Sequence, residues 1–178
     1  MTAPIEIEIW QGEIAELDVD ALVVPATESL FMTNPVAVTV KRHGGDAVEY
    51  AAVEQGPILA GTAIVTTGGQ LVAPWVIHAV AVGHDLIADE DRLRSALRAA
   101  LDRAASLSLR RIAMAPLGME RGVFGADEAA AVILEELHAY DRGPSGHPEA
   151  VVIALAGPRE AAAFTAAVAA GALRSGPG

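Results

Sequence analysis

The sequence contains no cysteine, one lysine (Lys41) and one asparagine (Asn34). Without cysteine there are no disulfides, no thiolate metal ligands and no cysteine nucleophile. Aromatic residues make up only 4%, so a core has to be assembled from Ala, Val, Leu and Ile. Basic residues are scarce: 12 Lys and Arg stand against 23 Asp and Glu, a formal net charge of −11. A surface of that sign repels a nucleic-acid duplex, so nucleic acid is not an expected partner. The longest nearly apolar stretch, Ala161 to Leu173, is too short to span a bilayer. No basic, apolar leader opens the chain, so a cytoplasmic protein without a membrane partner is expected.

What is present is ample apolar material: 52% of 178 residues, with 20% charged. The expectation is one domain over 1–173 and a flexible tail over 174–178. Ile5, Ile7 and Ile9 alternate with glutamates, the period of a half-exposed strand. Ala21–Val24, Thr62–Val65, Trp75–Val80, Ile112–Ala115 and Val151–Ala154 are short apolar runs that read as buried strands. Leu93, Leu97, Leu101 and Ala104 recur at helical spacing, and the interspersed arginines are expected to point mostly to solvent. Ala130, Ile133, Leu134 and Leu137 mark a second helix, and Gly157–Pro158 opens a third. Strand and helix alternate, which predicts an α/β sheet covered on both faces. The segment Pro35–Val40 alternates like a strand, yet Asn34 is a good N-cap and Lys41-Arg42-His43-Gly44 a good helix end; pattern alone leaves both open.

Ligands of open α/β sheets sit beyond the carboxyl ends of the strands. Three segments fall there: Pro25–Ser29, Phe31–Pro35 and Pro116–Gly125. The last carries three glycines between a strand and a helix, which lets main-chain amides approach a phosphate; the same pattern also fits an ordinary turn. Arg121 adds a possible charge-assisted contact. The five histidines form no ligand cluster, and His78, inside an apolar run, reads as a hydrogen-bonded core residue. No metal and no cofactor is expected, and Ser29 and Ser145 have no adjacent base.

The succession Gly12-Glu13-Ile14, Asp20–Val23, Gly44-Gly45, Gly61–Thr66, Val76–Val80 and Pro116–Gly125 resembles the macrodomain family from about residue 5 to residue 155. The resemblance implies a three-layer α/β/α sandwich with a mixed, largely parallel sheet, and a helix from about Asn34 to His43. It also implies a cleft for ADP-ribose or a related nucleotide. The candidate ligand-binding residues are Glu13, Ile14, Thr27, Asn34, Val36, Gly118, Met119, Arg121, Gly122, Val123 and Phe124. Phe124 corresponds to the bulky residue on the distal ribose.

The departures from the family pattern are specific. Glu13 stands where the adenine-binding aspartate is usual. Val24-Pro25-Ala26-Thr27 replaces the Asn-Ala-Ala-Asn run, and Met32–Ala37 replaces the first glycine-rich phosphate loop. The catalytic aspartate of hydrolytic members falls at about Ala37, so that chemistry is not supported. The second phosphate loop is about one residue longer, with Glu120-Arg121 at its tip. A binding module is therefore expected before a hydrolase or phosphatase built on Glu28, Glu120 and Thr27. A closed scaffold, its cleft filled by Phe31, Met32 and Met119, is the other alternative.

Overall fold

A strand with apolar side chains on both faces is stable only between two layers of helix. Four of the strands are of that kind. The computed structural model describes residues 3–174 and contains six strands: β1 (Glu6–Gln11), β2 (Ala21–Pro25), β3 (Ala63–Thr67), β4 (Trp75–Ala79), β5 (Arg111–Met114) and β6 (Ala150–Leu155). They form one sheet in the order β1-β6-β5-β2-β4-β3. All neighbouring pairs are parallel except β3 with β4.

Alternation along the strands sorts the core into two layers. Val23, Met114 and Ile153 face α3 (Glu90–Ser106), α4 (Ala126–Ala139) and α5 (Pro158–Arg174). Leu22, Val24, Ala113 and Val152 face α1 (Pro35–Gly44) and its neighbourhood, with α2 (Asp46–Val53) beside it. The result is the three-layer α/β/α sandwich with a mixed, largely parallel sheet. His78 is 1% exposed and its Nε2 lies 2.9 Å from the Thr66 hydroxyl. Burial holds this imidazole down at about 4, so it stays neutral in the core.

One local expectation is corrected, one is filled in, and one element is new. The run around Thr62–Val65 is an antiparallel edge strand with Ile64 and Val65 only half-buried, because one side of β3 has no neighbour in the sheet. The α3 arginines are exposed or half-exposed, and they are also paired. Arg98 Nε donates to Glu136 of α4, Arg94 reaches the same 2%-exposed carboxylate, and Arg103 Nε donates to the Ala63 carbonyl at 3.2 Å. Helix α2 had not been anticipated, although Asp46 and Glu49 in its first turn and buried Val48 and Ala52 form a helical pattern.

The open alternative at 34–44 resolves as helix. Asn34 caps it, and the amide of Gly45 returns to the Lys41 carbonyl. Beyond Arg174, the tail expected over 174–178 lies outside the described residues. Among those residues no helix is long and apolar enough to cross a membrane. The five parallel strands end on one side of the sheet. There the chain after β2 runs toward β4, while the chain after β5 runs the other way to β6, which opens a crevice between them.

Candidate functional site

A cleft of about 870 Å³ occupies that crevice. Its walls are the segments that follow β2 (Pro25–Thr27), β4 (Val82–His84 and Leu86), β5 (Ala115–Pro116 and Met119–Arg121) and β6 (Ala154–Gly157), together with Thr33–Val36 and Glu160. The side chains that could have closed it do not. Phe31 is 52% exposed and is not part of the wall, Met32 is buried in the core, and Met119 forms wall.

The lone asparagine fixes one side. Its Oδ1 accepts from the Ala37 amide at 2.9 Å and its Nδ2 donates to the Pro25 carbonyl at 2.7 Å. The first bond caps α1 and the second ties that cap to the end of β2, so the helix N-terminus is held at the cleft. The lone lysine supports the same corner. Lys41 donates to Glu49 Oε1 at 2.8 Å, while Glu49 Oε2 accepts from the Met32 amide at 2.8 Å. Burial pushes the Glu49 carboxyl up, but the Lys41 and Met32 bonds outweigh it and hold it below its ordinary value. We expect Asn34→Ala to lower stability by about 1–2 kcal/mol. Asn34→Asp, which keeps the capping oxygen and loses the amide donor, falls between the two; urea midpoints check this order.

The opposite wall is the loop after β5. Its start prolongs the sheet through Ala115 N donating to Val23 O at 3.1 Å. Gly118 then takes φ +87°, and a Cβ there would sit 2.9 Å from the Phe124 ring and 3.2 Å from Leu93. Both the conformation and the contact require glycine. Phe124 N closes the loop onto Gly118 O at 3.0 Å, and a short 3-10 turn over Glu120–Gly122 puts Arg121 at φ 54°.

Glu120 turns inward at this turn. Both of its carboxyl oxygens are buried and have no hydrogen-bond partner among the described residues. Burial pushes its carboxyl up to about 7, and the amides of Gly118 and of Glu120 itself pull it back only in part. Burial is the larger effect and sets the direction.

Of the candidate residues, Thr27, Asn34, Val36, Met119 and Arg121 line the cleft together. Gly118, Gly122 and Val123 frame the loop behind that wall, and Phe124 is 6% exposed and packs into the core. Glu13 is exposed after β1 and Ile14 is buried beside Ala15 and Val19, both away from the cavity wall. The segments after β4 and β6 went unnoticed in the sequence. Their signal was positional, since each follows the carboxyl end of a parallel strand. His84 is held there by Glu28, whose Oε2 accepts from its amide at 3.0 Å.

Residues 23–133 match the Macro domain family. The chain belongs to the macrodomains. This macrodomain is 35% identical over 137 residues to an uncharacterised protein of Aquifex aeolicus, covering 76% of this chain and 83% of that one. It is 32% identical over 167 residues to an uncharacterised protein of Mycobacterium tuberculosis, covering 94% of this chain and 46% of the relative. The chain thus spans about half the length of that relative. Among solved structures it shares the fold of the Trypanosoma brucei macrodomain in complex with ADP-ribose, with a TM-score of 0.82 and 24% identity. That match covers 92% of this chain and 69% of the other.

Proposed function

We propose that the cleft binds ADP-ribose or a closely related nucleoside diphosphate and that the protein acts through binding rather than hydrolysis. The observation that carries this reading is the open cavity at the crevice. Its volume lies in the range of small-molecule sites, and a capped helix N-terminus faces a glycine-bearing loop with a guanidinium at its tip. The fold shared with a macrodomain solved in complex with ADP-ribose supports it. In an acidic protein the diphosphate has to be gripped locally, by amides and Arg121, against the field of the whole. Ala37, where the family resemblance places a catalytic aspartate, is buried in the first turn of α1 and has no titratable group.

Calorimetry with ADP-ribose, ADP and NAD is the test. Binding of ADP-ribose in the micromolar range is expected, and absence of heat at millimolar ligand overturns the reading. Arg121→Ala is expected to weaken ADP-ribose binding about tenfold, the usual effect of losing one charge-assisted contact.

One observation favours a second reading. Glu120 is a buried carboxyl on the cleft wall with a raised pKa, as acid–base catalysts often are. Mass-spectrometric loss of ADP-ribose from a modified protein, abolished in Glu120→Gln, supports a hydrolase; an inert enzyme over hours dismisses it.

A further inference from the structure

Among the described residues, four that are not glycine take a left-handed backbone: Leu30 (φ 65°), Leu86 (φ 55°), Ser108 (φ 54°) and Arg121 (φ 54°). The conformation is costly for a residue with a side chain, because Cβ crowds the following carbonyl oxygen. Folding accounts for two of them. Leu30 is 1% exposed and is held by the core that it fills with Ala26, Ala52 and Val80. Ser108 closes the end of α3: its amide donates to the Ala105 carbonyl at 3.0 Å and the Leu109 amide to Ala104 at 2.9 Å, the bonds of a left-handed helix cap. The other two, Leu86 and Arg121, both line the cleft.

Leu86 combines that cost with another. It is 43% exposed, an apolar side chain left in water, so packing does not offset its conformation. The chain around it is nevertheless fastened. Leu86 N donates to the Gly83 carbonyl at 3.0 Å and closes a turn. Within that turn Glu28 accepts from the His84 amide. Arg92 Nη1 donates to both oxygens of Asp85, at 2.9 and 2.8 Å, and Asp85 Oδ1 accepts from the Ile87 amide at 3.2 Å. Backbone strain that the surroundings hold in place at a cavity wall is a mark of function.

Strand order says what this wall meets. Arg121 after β5 and the α1 N-terminus after β2 sit in the middle of the cleft, with the β4 wall on one side and the β6 wall on the other. A ligand whose diphosphate is gripped in the middle lays one end against each wall. In ADP-ribose the group next to the diphosphate is a ribose on either side.

We propose that Leu86 is a specificity-determining residue of the cleft, its side chain packing against the ribose that adjoins the diphosphate on the β4 side. The inference rests on the ligand reading above and names the part of the ligand that the β4 wall selects. The ring carbons of the sugar cover the leucine and remove it from water. The contact therefore favours a diphosphate ester over a bare anion of the same charge.

The experiment pairs calorimetry with thermal melts, using ADP-ribose and ADP on the wild type and on Leu86→Gly, Leu86→Asn and Leu86→Met. Glycine and asparagine accept a left-handed backbone, so both variants should melt no lower than the wild type and up to about 4 °C higher. Their affinity for ADP-ribose should fall about tenfold. Glycine also loosens the turn, so a loss shared with asparagine is the loss of the leucine side chain. Leu86→Met keeps an apolar side chain and should retain most of the affinity.

A loss for both ADP and ADP-ribose assigns the nucleoside ribose to this wall, and a loss for ADP-ribose alone assigns the terminal one; either supports the proposal. Unchanged ADP-ribose affinity in Leu86→Gly and Leu86→Asn overturns it, and so does a loss confined to Leu86→Gly. A melting temperature that falls together with the affinity makes Leu86 a structural residue and overturns it too, as does a Leu86→Met variant as weak as Leu86→Asn. Absence of heat with the wild type overturns the ligand reading and this inference with it.

Discussion

At pH 8 the Glu120→Gln variant is expected to be more stable than the wild type, whereas at pH 4 the two should be nearly equal. In the unfolded chain this carboxyl titrates near its ordinary value of 4.5, and in the folded protein at about 7. A group whose folded pKa is raised contributes stability below its unfolded pKa and loses it as pH rises through the folded one. The wild type therefore loses about 3 kcal/mol between pH 4.5 and the region above 7, and the neutral glutamine loses none of it. For a chain of this size the difference corresponds to roughly 6–12 °C in melting temperature. His78 acts in the opposite sense, since its folded pKa of about 4 lies below the ordinary 6.5. It removes stability as pH falls from about 6.5 to about 4, equally in both proteins, so it cancels in the comparison. Thermal melts of the pair from pH 4 to 8 check this; parallel profiles would show that Glu120 is not desolvated in solution.

Phe164→Ala is expected to have the largest effect of any single truncation in α5. That helix is mostly alanine, and Phe164, 0% exposed, is its one large fully buried side chain among the described residues. It enters the core shared by β6, α4 and the neighbouring strands. Removing it leaves a cavity that the small side chains around it cannot fill, at a cost of roughly 3–5 kcal/mol. The first turn of α5 is also a wall of the cleft, so looser docking should weaken ADP-ribose binding together with stability. Chemical denaturation of Phe164→Ala and Phe164→Leu checks this. A loss below about 1.5 kcal/mol for the alanine variant would mean that α5 is held by its backbone and its alanines.

The layers were legible in the sequence because burial imposes a period. Val23 and Val24 had to face opposite sides, and the apolar runs at 21, 76, 112 and 151 could only be sandwiched strands. Helix α1 was not decided by local pattern, because Asn34 and Gly44 marked helix ends while its valines favour a strand; the family resemblance decided it. The bonds were less legible than the elements. Nothing in the local pattern says that Arg98 meets Glu136 of another helix, 38 residues away. The candidate site divides in the same way. Arg121 and Asn34 could be named because loops after strands are where ligands sit. Glu120, next to Arg121 at a loop tip, had every local mark of a solvated charge, and its burial depends on how Gly118 and Phe124 fold the loop back. The walls after β4 and β6 depend on strand order, which no window of sequence contains.

That order bears on how the protein comes into being. β6, the last strand along the chain, lies between β1, the first, and β5, and β1 is paired in the sheet only through it. On a ribosome the opening strand therefore has to wait, unpaired, through some 140 residues of synthesis. Until β6 arrives, β5 keeps an open edge of the kind that recruits other chains. Final insertion of β6 completes the sheet and brings Ala154 to Gly157 to the cleft in one event. A nascent or truncated chain that stops short of Ala150 is thus both without one wall of its cleft and prone to aggregate, so the cleft is completed only when the sheet is closed.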